Sequence, residues 1–250
     1  MALYDLPAVY KKIISEYQNR PDTKIIYIGH SQGTSQMFAG LTNPLHDDVR
    51  KLLKEKTEIF FAIEPIVYMT EINNTVLRQG VIISDSITKV ARDLGINELS
   101  TAKCTANDSW LRVLSYACET FGFLCEGYDV INGFDSKVDN INKVLETFQE
   151  HNPSGTSLRS FEHYAQLIKG KDFNWLQNRI PTFRMYDYSK AYGYEKNRSV
   201  YGQDTPLEYN LKDFETNLVL VVGTKDSLAS SKNVDNLVKE LPTDKSNFIE

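Results

Sequence analysis

Ser31 stands in the pentapeptide Gly29-His30-Ser31-Gln32-Gly33, directly after the apolar run Lys24-Ile25-Ile26-Tyr27-Ile28. A Gly-x-Ser-x-Gly set between a strand and a helix makes a sharp turn that lifts the serine oxygen clear of the backbone. The residues that follow, Gln32 to Leu41, are mostly small and apolar (Thr34, Ser35, Met37, Phe38, Ala39) and read as that helix. Ser31 is therefore the candidate nucleophile. Gly29 and Gly33 are both expected to be small because the turn presses them against each other and against neighbouring strands. A glycine-punctuated loop with an incidental serine is the bland alternative, and the flanking strand and helix weigh against it.

A serine hydroxyl is a poor nucleophile unless a histidine takes its proton, and the histidine needs a carboxylate to fix its tautomer. In this architecture the order along the chain is Ser, then Asp or Glu, then His. Asp226 sits three residues past Gly223, where the apolar run Asn217 to Val222 ends, which is where such a carboxylate belongs. Aspartate is common in loops after strands, so spacing alone leaves that role open. No histidine follows it. His30, His46, His151 and His163 all precede Asp226 and read as structural, hydrogen-bonded side chains, so the catalytic histidine is expected to be missing from this chain. The backbone N–H of Gln32 is the expected oxyanion donor, and the second donor would come from a loop after an earlier strand that the chain lacks.

These groups need a scaffold. Asp5 as N-cap, Pro7 in the first turn, and Leu6, Val9, Ile13, Ile14 and Tyr17 at helical spacing predict an amphipathic helix running up to the break at Pro21. Further apolar runs, Glu58 to Ile63 and Asn217 to Val222, predict two more strands. Short continuous apolar runs separated by helical segments are what a parallel sheet covered on both faces looks like, so the class is α/β. About 150 residues part the second strand from the third, far more than a crossover needs. They predict an inserted, mainly helical cap, with residues 1–65 as the first part of the core, 66–180 as the cap and 181–250 as the return to the core. The cap opens with a helical stretch, Val81 to Leu94. Trp110, Phe121, Phe123, Tyr128 and Phe134 are expected to form its own core. Tyr186 to Tyr209 reads as one long irregular stretch. Three core strands make an open sheet with bare edges, an aggregation hazard.

The chain has 250 residues, 41% of them hydrophobic, enough to bury a core. Its net charge of −5 comes without a Lys or Arg run, which excludes an electrostatic footprint for nucleic acid. No stretch of apolar residues is long enough to span a bilayer, and Met1 to Pro7 lacks the charged start and apolar run of a signal peptide. Cys104, Cys118 and Cys125 cluster in the insertion, and Asn73, Asn107 and Asn197 each open an N-glycosylation sequon. Together they lean towards a secretory or lysosomal compartment.

Several strings in one order resemble the eukaryotic acid lipase family, the group of gastric lipase and lysosomal acid lipase. They are Met1-Ala2-Leu3-Tyr4-Asp5-Leu6-Pro7-Ala8; Ile28-Gly29-His30-Ser31-Gln32-Gly33-Thr34; His151-Asn152-Pro153-Ser154-Gly155-Thr156-Ser157; Phe183-Arg184-Met185-Tyr186-Asp187-Tyr188; Pro206-Leu207-Glu208-Tyr209-Asn210-Leu211; and Gly223-Thr224-Lys225-Asp226-Ser227-Leu228-Ala229. The resemblance implies a partial α/β-hydrolase core with a helical cap over an apolar pocket. It implies hydrolysis of acylglycerols or steryl esters in lysosomes or secretions, no cofactor or metal, and brief contact with a lipid interface. It makes Asp226 the triad acid. It also implies a cap disulfide between Cys104 and Cys118, with 13 residues between them, and Cys118 with Cys125 as the alternative pair. Family members carry an amino-terminal oxyanion segment and a catalytic histidine beyond the point matching Glu250, so this chain is expected to be a fragment and inactive alone. A non-catalytic lipase-like protein that binds lipid or a partner is the competing reading, and a thioesterase or acyl transferase using the same elbow is a third.

Overall fold

Ile25 to Ile28 offers β-branched and aromatic side chains between Pro21 and Gly29, and it forms the first four residues of β1 (Ile25–His30). The structure is a computed structural model that describes residues 1–72, 75–99, 156–171, 180–224, 226–242 and 246–249. It divides into two compact units, Met1–Asn73 with Gln166–Glu250, and Asn74–Ala165.

The first unit opens with α1 (Asp5–Glu16), β1, α2 (Gln32–Leu41), α3 (Asp47–Lys56) and β2 (Thr57–Ile63). The second holds α4 (Thr75–Asp93), the two-residue strands β3 (Glu98–Leu99) and β4 (Thr156–Ser157), paired antiparallel, and the start of α5 (Leu158–Lys169). The chain then returns through α6 (Ser189–Tyr192), α7 (Tyr194–Tyr201), β5 (Leu218–Val221), α8 (Ser231–Glu240) and β6 (Ser246–Ile249). Within the second unit Arg92 of α4 pairs with buried Glu162 of α5, and Leu158 donates its N–H to Asn97 O at 2.8 Å.

The main sheet runs β1-β2-β5-β6, every pair parallel. His30 pairs with Ile63, Ile63 with Val221 and Val221 with Ile249, so the carboxyl ends line up along one edge. A parallel sheet whose strands alternate with helices is the α/β class of core that the sequence predicts. Its centre is aromatic. Phe38 of α2 meets Phe60 of β2 edge-on at 5.1 Å and Phe214 at 5.3 Å, with all three rings fully buried. Leu53, Leu218, Leu220 and Leu237 close around them. Each such side chain contributes about 1.5–3 kcal/mol on leaving water. Buried Tyr10 docks α1 through a 2.8 Å hydrogen bond to Thr57 Oγ1, and burial pushes its hydroxyl up to about 12.

Four expectations need correction. The sheet has a fourth strand, β6: Ser246-Asn247-Phe248-Ile249 is too short and too polar to read as a buried strand. Strand β1 is not covered on both faces, since Ile26 and Ile28 are 60% and 66% exposed, whereas β5 is buried along nearly its whole length. Asp5 is the first residue of α1 rather than its cap, and the helix ends at Glu16, well before Pro21.

The fourth concerns Tyr186 to Tyr209, which is organised rather than irregular. Asn197, with no exposed surface, donates to Asp187 Oδ1 at 2.8 Å and to Asp204 O at 2.6 Å, and accepts the N–H of Tyr188 at 2.9 Å. Burial pushes the Asp187 carboxyl up, but hydrogen bonds from Asn197 and Ser189 and the charge of Arg184 outweigh it and hold the group below its usual value. Asn197 therefore fails as a glycan acceptor in the folded chain, because its amide nitrogen is spent inside. The sequon residues Asn73 and Asn107, the three cysteines, His151 and the expected cap aromatics lie outside the described residues.

Candidate active site

The turn between β1 and α2 is a single residue. Ser31 has φ 49° and ψ −114°, a backbone region that costs a non-glycine residue about 1–3 kcal/mol. It is held there from both sides. Ser31 donates its N–H to Ile63 O at 3.0 Å, and its carbonyl accepts the N–H and hydroxyl of Thr34 at 2.9 and 2.6 Å. The Thr34 hydroxyl oxygen also accepts the N–H of Ile66 at 3.1 Å, which binds the first turn of α2 to the segment after β2. The Ser31 hydroxyl is half-buried and makes no hydrogen bond among the described residues. Gln32 is the first residue of α2, so its N–H has no acceptor within the helix.

The two glycines differ in what they allow. A Cβ on Gly29 would lie 2.8 Å from Tyr27 Cε1 and 3.0 and 3.1 Å from the carbonyl carbon and oxygen of Gly33. The Tyr27 ring would have to shift and the Gly33 carbonyl to give by a few tenths of an ångström. A Cβ on Gly33 would meet only the Tyr27 hydroxyl, at an ordinary 3.5 Å. The expectation that both must be small therefore holds for Gly29 and fails for Gly33, whose Cβ direction points away from the crowded side of the turn. The Tyr27 hydroxyl donates to Gly33 O at 3.1 Å and fills that space, and burial raises its pKa above the usual value.

Asp226 lies in the loop after β5. Its Oδ1 accepts the N–H groups of Leu228 and Ala229 at 2.7 and 2.9 Å, while Oδ2 has no hydrogen bond among the described residues. The loop is stapled at its far end. Ser230 Oγ donates to Glu71 O at 2.8 Å, and buried Asn233 accepts the Glu71 N–H at 3.1 Å and donates to the carbonyls of Glu71 and Leu228, both at 3.3 Å. Lys232 adds an ion pair to Glu71 at 2.9 Å.

Glu64, which the sequence reading passed over, stands between these two loops at the end of β2. Its Oε2 lies 2.8 Å from Nε2 of His30, and its own N–H reaches Val221 O at 2.8 Å. A Cβ built on Gly223 would sit 3.7 Å from Glu64 Oε1 and 3.8 Å from Asp226 Cβ, so the two acidic side chains flank one point above Gly223. The signal that could have found Glu64 is the one used for Asp226: a carboxylate at the carboxyl end of a buried strand. His46 opens α3, and half-buried His163 lies on α5 in the second unit. Among the described residues no imidazole hydrogen-bonds Ser31, and no group of three or more His, Cys, Asp or Glu could hold a metal. No described helix is long and apolar enough to cross a membrane.

No family model matches the chain. It is 28% identical over 243 residues to gastric triacylglycerol lipase of Rattus norvegicus, a match covering 96% of this chain and 54% of that protein. It is 27% identical over 251 residues to lysosomal acid lipase/cholesteryl ester hydrolase of the same species, covering 97% and 54%. The chain is acid lipase-like. This acid lipase-like chain spans about half the length of the curated relatives it matches. A solved soluble variant of monoglyceride lipase from Saccharomyces cerevisiae overlays 98% of this chain and 57% of that one, at 11% identity and a TM-score of 0.46.

Proposed function

We propose that this acid lipase-like chain belongs to a carboxylic-ester hydrolase that cleaves acylglycerols or steryl esters through an acyl-enzyme on Ser31. Oγ of Ser31 attacks the ester carbonyl carbon as an imidazole from outside the described residues takes the hydroxyl proton. The tetrahedral oxyanion rests on the N–H of Gln32. Collapse breaks the bond to the alcohol, which leaves with the proton from the imidazolium, and water then cleaves the acyl-enzyme by the reverse assistance. Asp226 turns its free Oδ2 to the imidazole while Leu228 and Ala229 fix Oδ1.

The observation that carries the reading is Ser31 at φ 49° between β1 and α2, its hydroxyl uncommitted. The relatives' names supply the substrate class and point to a secretory or lysosomal setting. Loss of one triad member can cost about a millionfold in kcat, so the 250 residues alone are expected to be nearly inert. The experiment is labelling by a serine-directed fluorophosphonate of the full-length protein that contains this chain. Wild type should be labelled and Ser31→Ala should not; equal labelling of both overturns the assignment.

A second reading, a non-catalytic protein that binds lipid or a partner through the cap, draws on α4 and the residue just after it. Ile83, Ile87, Val90 and Leu94 recur at helical spacing and are 53%, 47%, 58% and 70% exposed. A labelled Ser31 that turns over no ester would favour it.

A further inference from the structure

The hydrolase mechanism leaves Glu64 without a task, yet its geometry is unusual. Among the described residues only Ser31 and Glu64 are non-glycine residues with positive φ, Glu64 at 50°. They occupy the carboxyl ends of neighbouring strands, one residue past the paired positions His30 and Ile63. An exposed His–carboxylate pair is worth too little to hold a glutamate in the left-handed region, so His30 alone does not account for it. The sheet order supplies another reason. An imidazole that serves Ser31 past the end of β1 and Asp226 past the end of β5 spans about 10 Å, two strand spacings, and crosses the end of β2 on the way. Glu64 stands at that crossing. One of its carboxylate oxygens is already 2.8 Å from an imidazole nitrogen, and the other faces the Gly223 and Asp226 side.

We propose that Glu64 is a second acid of the site, a positioning residue that shares with Asp226 the N–H of the catalytic imidazole. The inference rests on the ester-hydrolase reading. Glu64 serves only as an acceptor: it takes a hydrogen bond from the imidazole, offsets the imidazolium charge formed when Ser31 gives up its proton, and removes no proton itself. On swinging to the base it releases His30 to solvent, where that ring is already 66% exposed along its side chain.

The test is steady-state hydrolysis of a soluble short-chain p-nitrophenyl ester by the full-length protein. Loss of a lone triad aspartate costs about 10⁴ in kcat. With two acids sharing the task, Asp226→Asn should cost only about 100-fold and Glu64→Gln about 10-fold, both in kcat with KM unchanged. The double variant should fall by about 10⁴ or more, beyond the product of the two. Glu64→Gly separates this role from folding: glycine suits the left-handed backbone, so the melting temperature should hold or rise while kcat falls as in Glu64→Gln. His30→Ala should retain more activity than Glu64→Gln; an equal loss would mean that Glu64 merely anchors His30, and would overturn the proposal. So would a silent Glu64→Gln, or an Asp226→Asn loss of about 10⁴ that the second substitution does not deepen. A wild type that fluorophosphonate does not label at Ser31 sinks the hydrolase reading and this one with it. Labelling with a silent Glu64→Gln sinks only this one.

Discussion

The elbow and the acid loop face the same edge of the sheet and are held by opposite means. Ser31 is fixed through its backbone, by a strained φ, by the close approach of Gly29 to Gly33 and by hydrogen bonds to its N–H and carbonyl, while its hydroxyl is left alone. Asp226 is fixed through its side chain, with Oδ1 on two backbone N–H groups and the loop sewn to Glu71 by Ser230 and Asn233. The difference follows from the chemistry proposed for each. A nucleophile must keep its lone pair free and so is aimed by the chain beneath it. An orienting acid must not rotate and is gripped directly.

Four substitutions test that contrast, in falling order of effect. Gly29→Ala should destabilise by about 3 kcal/mol and abolish fluorophosphonate labelling, because the added methyl meets the Tyr27 ring and the Gly33 carbonyl at once. Chemical denaturation gives the first and gel fluorescence the second. Asn233→Ala should cost about 2 kcal/mol, since the Glu71 N–H and the Leu228 carbonyl both lose their bond to this side chain. Hydrogen exchange at the Leu228 and Ala229 amides should quicken while labelling at Ser31 persists; unchanged exchange would show that the acid loop does not depend on this staple. Ser31→Gly should raise stability by about 1 kcal/mol as the strained φ becomes an easy one, with labelling lost. Should the variant be less stable, the elbow is not strained and the contrast fails on that side. Gly33→Ala should shift stability by less than about 1 kcal/mol, towards a gain from helix propensity, with labelling intact. If it behaves like Gly29→Ala, the turn is crowded on both flanks after all.

The parts of this architecture legible in the sequence are those where local pattern and tertiary role agree. Gln32–Leu41 is the expected helix to the residue, and the runs around Phe60 and Leu220 became neighbouring parallel strands, because continuous apolar stretches ended by turns have few other uses. The rest depended on partners that a single sequence does not display. Strand β6 pairs through its backbone, to which Ser246 and Asn247 contribute as well as any residue. Helices α6 and α7 gather around one buried amide, so a Tyr-, Gly- and Asn-rich composition concealed an ordered segment. Glu64 resembled any charged residue at a strand end until its φ and its contact with His30 were visible. The freedom at Gly33 came from the direction of an atom it does not have.

In a chain that enters the secretory route, the inward-turned amide of Asn197 would set two cellular processes in competition. Oligosaccharide transfer acts on extended nascent chain, and a sugar attached at this nitrogen would bar α7 from closing over Asp187 and Asp204. A polypeptide entering the secretory route must therefore wrap this segment before the transferase reaches it. The fraction carrying a glycan here would count the molecules that lost the race.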